Sequence, residues 1–304
     1  MFFKNAIIYS FTEPFNKSVA EVEDALTKFS FKPCLKTEFS STGWTPALHP
    51  DANVLVHSSY GYLMVCLKTQ EKVIPSASIK ELLDEKLKEI EQVEGRKVKG
   101  KEKQNLKEEL IHSLLPTALT KSKHARAIID TTNGYIMVES SSYGQAENLL
   151  AYLRKSLGTL PVVPLETDGA IFLTFDDWMK GNNPNDFTIG TEAILKDFAE
   201  DEGTINCKNL ALDSEDIQSH LDNGKHVVQL KVEWDEKLSC VLDAGLVVKR
   251  IKFSDVIKEQ NEDICQDDKL ARLDADFTLM ACELSNFANR LVELFGKKGV
   301  SGES

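Results

Sequence analysis

The run Ile111–Leu165, IHSLLPTALTKSKHARAIIDTTNGYIMVESSSYGQAENLLAYLRKSLGTLPVVPL, decides how the rest of the chain reads. Ala127–Asp130 and Tyr135–Glu139 have the composition of strands, and Asn133-Gly134 between them supplies residues that tolerate positive φ. The three together predict a β-hairpin. Leu149, Leu150, Leu153 and Leu157 then recur at helical spacing, so a helix is expected over Ala146–Leu157, with Gly158 as its left-handed stop. Upstream, Lys121, Lys123, His124 and Arg126 make a positive connector between a helix stopped by Pro116 and the hairpin.

Working outward, Ala6–Phe11 is expected as a strand and Val19–Phe29 as a helix. Lys32–Phe39, Val54–Val56 and Tyr62–Lys68 follow as strands, with Tyr60-Gly61 turning into the last. Gly43-Trp44-Thr45-Pro46 reads as a loop whose tryptophan is buried. Ser78 and Glu81 fit a capping box for a helix carrying Ile79, Leu82, Leu83, Leu87, Ile90 and Val93. Gly95 and Gly100 bracket a bend, and a second helix runs to about Leu115. The pair predicts a projecting helical hairpin. Beyond Leu165, Ile171–Phe175 is expected as a strand, and Glu192–Phe198, Ser214–Leu221 and Asp276–Phe295 as helices. Val227–Trp234, Leu238–Leu242 and Leu246–Phe253 alternate like meandering strands. AIIYSF near the start resembles AIFLTF at Ala170–Phe175, which reads as a loose internal duplication of a hairpin/helix unit. The fold class is therefore α+β, with mixed or antiparallel sheets, flanking helices and the helical hairpin. A central α+β region takes 1–76 and 116–180, a helical arm 77–115, and a second α+β region 181–304.

Composition narrows the function. The 304 residues are 42% hydrophobic and 28% charged, and no run approaches the length of a membrane span. MFFKNAIIYSF reads as a first strand rather than a signal peptide. Six scattered cysteines without CxxC spacing predict reduced thiols in a cytoplasmic protein. Net charge is −12, yet Arg96, Lys97, Lys99, Lys101, Lys103, Lys107, Lys121, Lys123 and Arg126 face only Glu102, Glu108 and Glu109 within their window. That window follows a phosphate backbone without reading bases, or it is a solvated helix face; charge runs are usually the latter.

Signatures for acyl transfer, dinucleotide binding and phosphate-loop chemistry are absent, and the six histidines show no metal-ligand spacing. No cofactor or metal is expected. Acid pairs at Asp176-Asp177, Asp201-Glu202, Asp267-Asp268 and Asp274/Asp276 leave a metal-dependent nuclease as a rival, although helix starts and loops account for such acids as well.

Specific blocks then point to a family. HSLLP at His112–Pro116, IDTTNGYIMV, LRKSLGTLPVVPL at Arg154–Leu165, FKN at Phe3–Asn5, Gly43-Trp44, KVIPS at Lys72–Ser76, QNEDI at Gln260–Ile264 and DADFTLM at Asp274–Met280 resemble, in collinear order, the bacterial recombination-associated family RdgC. The loose duplication around a helical arm predicts an elongated, curved protomer, and the resemblance implies that an α+β protomer pairs through two separate contacts into a ring-shaped homodimer. Double- or single-stranded DNA would pass through a positively lined hole without sequence preference. It also implies association with the nucleoid, restraint of RecA-driven recombination, and no catalysis. On that basis the nine cations and Lys208 are candidates for contacting DNA, and Leu115 and Leu119 for contact between protomers. Leu119 stands where the family pattern leads one to expect an aromatic side chain. The competing expectation is an acidic interaction factor that contacts RecA directly, without a DNA-lining surface.

Overall fold

The computed structural model describes residues 2–167, 169–198, 203–261 and 268–296. Its chain divides into two compact units, one built from Met1–Leu26, Pro46–Val65 and Ala125–Ser304, the other from Thr27–Thr45 and Cys66–His124. Twelve strands and eight α-helices among the described residues make the protein a mixed α+β fold, as its patterning predicts.

In the larger unit, β1 (Ala6–Phe11) is buried along its whole length, which explains its unbroken apolar run. One edge pairs with β6 (Tyr135–Val138), in the register Ile7↔Val138 to Ser10↔Tyr135. The other edge is divided between β12 (Val247–Phe253) and β7 (Val162–Pro164). The sheet continues from β12 through β11 (Leu238–Asp243), β10 (Lys225–Trp234) and β8 (Phe187–Asp197) to β9 (Thr204–Lys208), all antiparallel. β3 (His57–Ser59) turns through Tyr60 and Gly61, at φ 46° and 85°, into β4 (Tyr62–Val73). Two successive left-handed residues are what a two-residue hairpin needs.

Beneath this sheet runs α8 (Lys269–Phe295), whose N-cap Asp268 accepts from the Ala271 N–H at 3.0 Å. It buries Phe277, Met280, Leu284, Phe287, Leu291 and Phe295. The Phe287 ring lies 5.2 Å from that of Trp234 and 6.2 Å from that of Phe187. α1 (Val19–Thr27), α4 (Tyr143–Leu157), α5 (Ile171–Asp177), α6 (Glu215–Asp222) and α7 (Asp255–Glu259) complete the helices of this unit.

The expected hairpin forms between the end of β5 (Leu119–Asp130) and β6, but through a four-residue turn in which only Gly134 has positive φ. Asp130 builds that turn: its buried carboxylate accepts from the Thr132 and Asn133 N–H groups, each at 2.9 Å. The supposed connector carrying Lys121, Lys123 and Arg126 is itself strand, since β5 starts at Leu119.

Several expectations fail for identifiable reasons. Ile171–Phe175 is helix, not strand: Ile171 and Phe175 are buried one helical turn apart while Leu173 between them is exposed. The apparent duplication of AIIYSF therefore has no structural counterpart. Glu192–Phe198 is not a helix, because Glu192–Asp197 lies in β8 between two partner strands that override the helix-forming Ala, Leu and Lys. Val54–Val56 is not a strand, because the N–H groups of Leu55 and Val56 are taken by the Glu23 carboxylate, at 2.9 and 2.8 Å. The Ser78/Glu81 capping box does not exist: α2 (Ser76–Glu94) starts two residues earlier, after Pro75.

In the smaller unit, β2 (Ser40–Thr45) pairs with Cys66–Glu71 of β4. The strand thus begins where Lys32–Phe39 ends, and takes in the Gly43-Trp44-Thr45 segment expected as a loop. Trp44 is fully buried, its N–H donating to the Phe29 carbonyl at 3.0 Å. α2 and α3 (Lys101–Leu114) pack as the expected helical hairpin, each with a single fully buried residue, Leu83 and Leu110.

Candidate nucleic-acid interface

The helical hairpin turns between Gly95 and Gly100, at φ 66° and 58°. Both sit in the left-handed region, which glycine enters without steric cost. The turn projects a short loop, Arg96–Lys99, followed by the first turns of α3.

Reading the charge from Arg96 onward leaves out what faces it. α2 brings six acids (Glu81, Asp84, Glu85, Glu89, Glu91, Glu94) and three lysines, so over 76–114 nine acids balance nine bases. The hairpin is neutral as a whole, and what matters is which cations are already occupied. Arg96 is. Its guanidinium donates to Glu94 at 2.7 Å and, in bidentate form, to Glu102 at 2.7 and 2.8 Å. Glu102 first, then Glu94, pushes the guanidinium above its ordinary range, and Arg96 holds the Glu102 carboxyl below its own. Lys97 lies 3.8 Å from Glu91, Lys123 3.0 Å from Glu71, and half-buried Arg126 3.3 Å from Glu139.

Lys99, Lys101, Lys103, Lys107 and Lys121 differ: all are exposed, and none makes an ion pair among the described residues. Lys208 is equally exposed on β9 of the larger unit. Alternation places Lys196 of β8 and Lys208 of β9 on one face of that sheet, through the registers Lys196↔Thr204 and Glu192↔Lys208. Lys252 of β12 also points away from its buried neighbours Ile251 and Phe253. Sequence reasoning missed Lys196 because it took the segment for a helix, and Lys252 because a lone strand lysine carries no local signal. Lys231 and Arg250 on neighbouring strands are occupied by Glu192, at 3.3 and 2.7 Å.

Leu119, at the start of β5, is 81% exposed, whereas Leu115 is wholly buried within the chain.

The acid pairs have local uses. Asp176 accepts from Val227 N–H at 2.7 Å and pairs with His226 at 2.6 Å. Asp177 accepts from Asn182 at 2.7 Å, and Asp276 from Asn261 at 3.2 Å. Asp274 pairs with His57 at 2.7 Å, and Asp268 caps α8. Asp201, Glu202 and Asp267 lie outside the described residues. Among the described residues, no three His, Cys, Asp or Glu side chains converge as metal ligands, and no helix is long and apolar enough to cross a membrane. Cys66, Cys207 and Cys240 are buried and outside any disulfide, and Cys34 and Cys282 are half-buried; Cys265 falls outside the described residues.

A family model described as "Putative exonuclease, RdgC" matches residues 1–298. The chain belongs to the RdgC family. It is 43% identical over 299 residues to the recombination-associated protein RdgC of Colwellia psychrerythraea, covering 98% of this chain and 97% of that one. It is 41% identical over 297 residues to the same-named proteins of Aeromonas hydrophila and Yersinia enterocolitica, covering 97% of this chain and 98% of each. The RdgC family model and these relatives thus carry different descriptions, one naming a nuclease and the others a role in recombination.

Proposed function

We propose that the protein is a non-sequence-specific DNA-binding protein, for double- and single-stranded DNA. In this reading it closes as a homodimeric ring around its substrate and restrains RecA-mediated recombination by occupying the DNA. The observation that carries the reading is the set of exposed lysines without acidic partners: Lys99, Lys101, Lys103, Lys107 and Lys121. Each adds a mobile point charge that can follow phosphates, and each lysine–phosphate pairing releases a condensed counterion. Contacts of this kind go to phosphates rather than base edges, which fits backbone tracking without sequence preference.

The acidic balance elsewhere suits a soluble protein whose binding is confined to one surface. Leu119 is the apolar group proposed for one contact between protomers, at the base of the 77–115 arm, with a second contact from the 181–304 region. Among the cations, the unpaired set is assigned to phosphate, with Lys208 a further candidate. Arg96, Lys97, Lys123 and Arg126 are assigned to holding the protein's own structure. Nucleoid association in the cytoplasm follows from such binding.

The neutral balance of the helical hairpin favours a second reading, in which the protein contacts RecA directly. One experiment separates the two. The Lys99/Lys101/Lys103/Lys107→Ala variant is assayed for DNA binding by fluorescence anisotropy and for inhibition of RecA strand exchange. Occupancy predicts that both fall together; retained inhibition with lost DNA binding would establish direct contact instead.

A further inference from the structure

One side of the α2/α3 hairpin holds an open groove of about 620 Å³ whose apolar floor phosphate contact leaves unused. Its lining comes from two antiparallel helices: Ile79 and Leu83 of α2 with Ile111 of α3 on the floor, and Lys80, Lys103 and Lys107 on the rim. Ile79 and Ile111 are half-exposed there, so the floor is open to a partner. None of the three lysines makes an ion pair among the described residues, and Asp84 is the one acid in the lining. At the far end the groove reaches Gly100, the N-cap of α3, which has no side chain to cap the helix. The unbonded N–H groups of that first turn add partial positive charge at the same end.

We infer that this groove is a docking site for a short acidic peptide with a bulky apolar anchor residue. Charge complementarity selects the class: a rim of three cations and a helix N-terminus against one acid calls for carboxylates. The floor favours peptide over duplex DNA, whose outer face presents phosphates and sugars rather than a bulky apolar side chain to bury against Ile79, Leu83 and Ile111. Length agrees. Lys103 to Ile111 spans about 12 Å along α3 at 1.5 Å per residue, the reach of roughly four extended residues. Lys103 and Lys107 are shared with the proposed phosphate-contacting set, so a bound acidic peptide and DNA would compete for them. The apolar floor belongs to the peptide alone.

The probe is a fluorescein-labelled peptide of four aspartates followed by isoleucine and phenylalanine, with a control in which the last two are serines. The full-length protein should bind the probe and bind the control at least tenfold more weakly. Ile79→Asn and Ile111→Asn, uncharged changes at half-exposed helix positions, should each weaken probe binding roughly tenfold, the loss of about 1.4 kcal/mol, while leaving duplex affinity unchanged. Lys103→Glu/Lys107→Glu should weaken both ligands, and circular dichroism reports whether each variant retains its helices. Equal binding of probe and control, or probe binding indifferent to Ile79 and Ile111, would overturn the inference, as would binding to anionic lipid vesicles in place of the peptide. Because the isoleucine variants are scored on peptide and DNA separately, failure here leaves the DNA-binding reading standing, and the reverse also holds.

Discussion

Replacing Asp130 should cost the protein more stability than any surface charge. Its carboxylate is fully buried and holds four groups: the Thr132 and Asn133 N–H groups and the Asn133 side-chain amide, each at 2.9 Å, and the Ser285 hydroxyl. Asn133 also donates to Ser285 at 3.0 Å, so one carboxylate ties the β5–β6 turn to the middle of α8. Its charge reaches further: the Tyr62 phenol is pushed up to about 12, by burial first and by Asp130 next. Asp130→Ala strips the partner from two backbone donors and two side chains around a carboxylate that is itself buried, although Thr132 and Asn133 keep access to water. An unsatisfied buried donor costs about 1–3 kcal/mol, and relaxation recovers part of the total, so a loss of about 3–4 kcal/mol is expected. Asp130→Asn keeps one acceptor oxygen for the two N–H groups but meets Ser285 and Asn133 with a second donor, and should lose about 1–2 kcal/mol. Urea unfolding followed by circular dichroism measures both. With a slope near 2 kcal/mol per molar, the alanine variant should unfold about 1.5–2 M earlier at unchanged slope. An alanine variant within about 0.5 M of the parent would refute this account of the turn.

Other expectations are independent of that node. Gly43→Ala places a Cβ 2.5 Å from the Phe31 Cα, 2.6 Å from its nitrogen and 2.9 Å from the Phe29 oxygen, all backbone atoms. It should destabilise by about 2–4 kcal/mol and expose the smaller unit to limited proteolysis first. Asp186 is held below its ordinary 3.8, chiefly by hydrogen bonds from Arg290 at 2.7 and 2.9 Å. A depressed carboxyl contributes its full stability above its unfolded value and loses it as pH falls through the lower folded value. Asp186→Asn should therefore be less stable than the parent at pH 6, and the gap should narrow in acid titrations that run below 3.8 and through the lowered folded value. Arg96→Ala should change duplex affinity less than twofold, because its donors are already spent on Glu94 and Glu102; anisotropy decides. Plasmid incubated with the protein and Mg²⁺ or Mn²⁺ should stay intact on a gel, and cleavage would replace occupancy with turnover.

Much of the fold was legible where pattern and partner agree. Ala6–Phe11 reads as a buried strand and is one, and the three alternating runs at 227–253 form three consecutive strands. Legibility ended where a tertiary partner outweighed local preference. The Ala-Leu-Lys stretch of β8 becomes strand because β9 and β10 flank it. IFLTF becomes helix because only Ile171 and Phe175 have a core to enter. Gly43-Trp44 looked like a loop because nothing local announces that Phe31 lies against the glycine. The candidate interface was half legible. The lysines could be counted, but that Arg96 is clasped by Glu94 and Glu102 while Lys101 is free depends on the angle of a bend. Likewise, Ile79 reads as one of an ordinary apolar stripe until the packing of α2 on α3 leaves it half uncovered.

The most direct measurement is the salt dependence of duplex binding for the parent, for Lys99/Lys101/Lys103/Lys107/Lys121→Ala, and for Arg96/Lys97/Lys123→Ala. The account predicts a steep linear fall of log K with log salt in the parent. The slope should shrink by about 0.9 for each lysine–phosphate pairing that the first variant removes, and stay near the parent value in the second. Equal slopes for parent and first variant, or a larger change in the second, would contradict the claim that the unpaired lysines are what hold DNA.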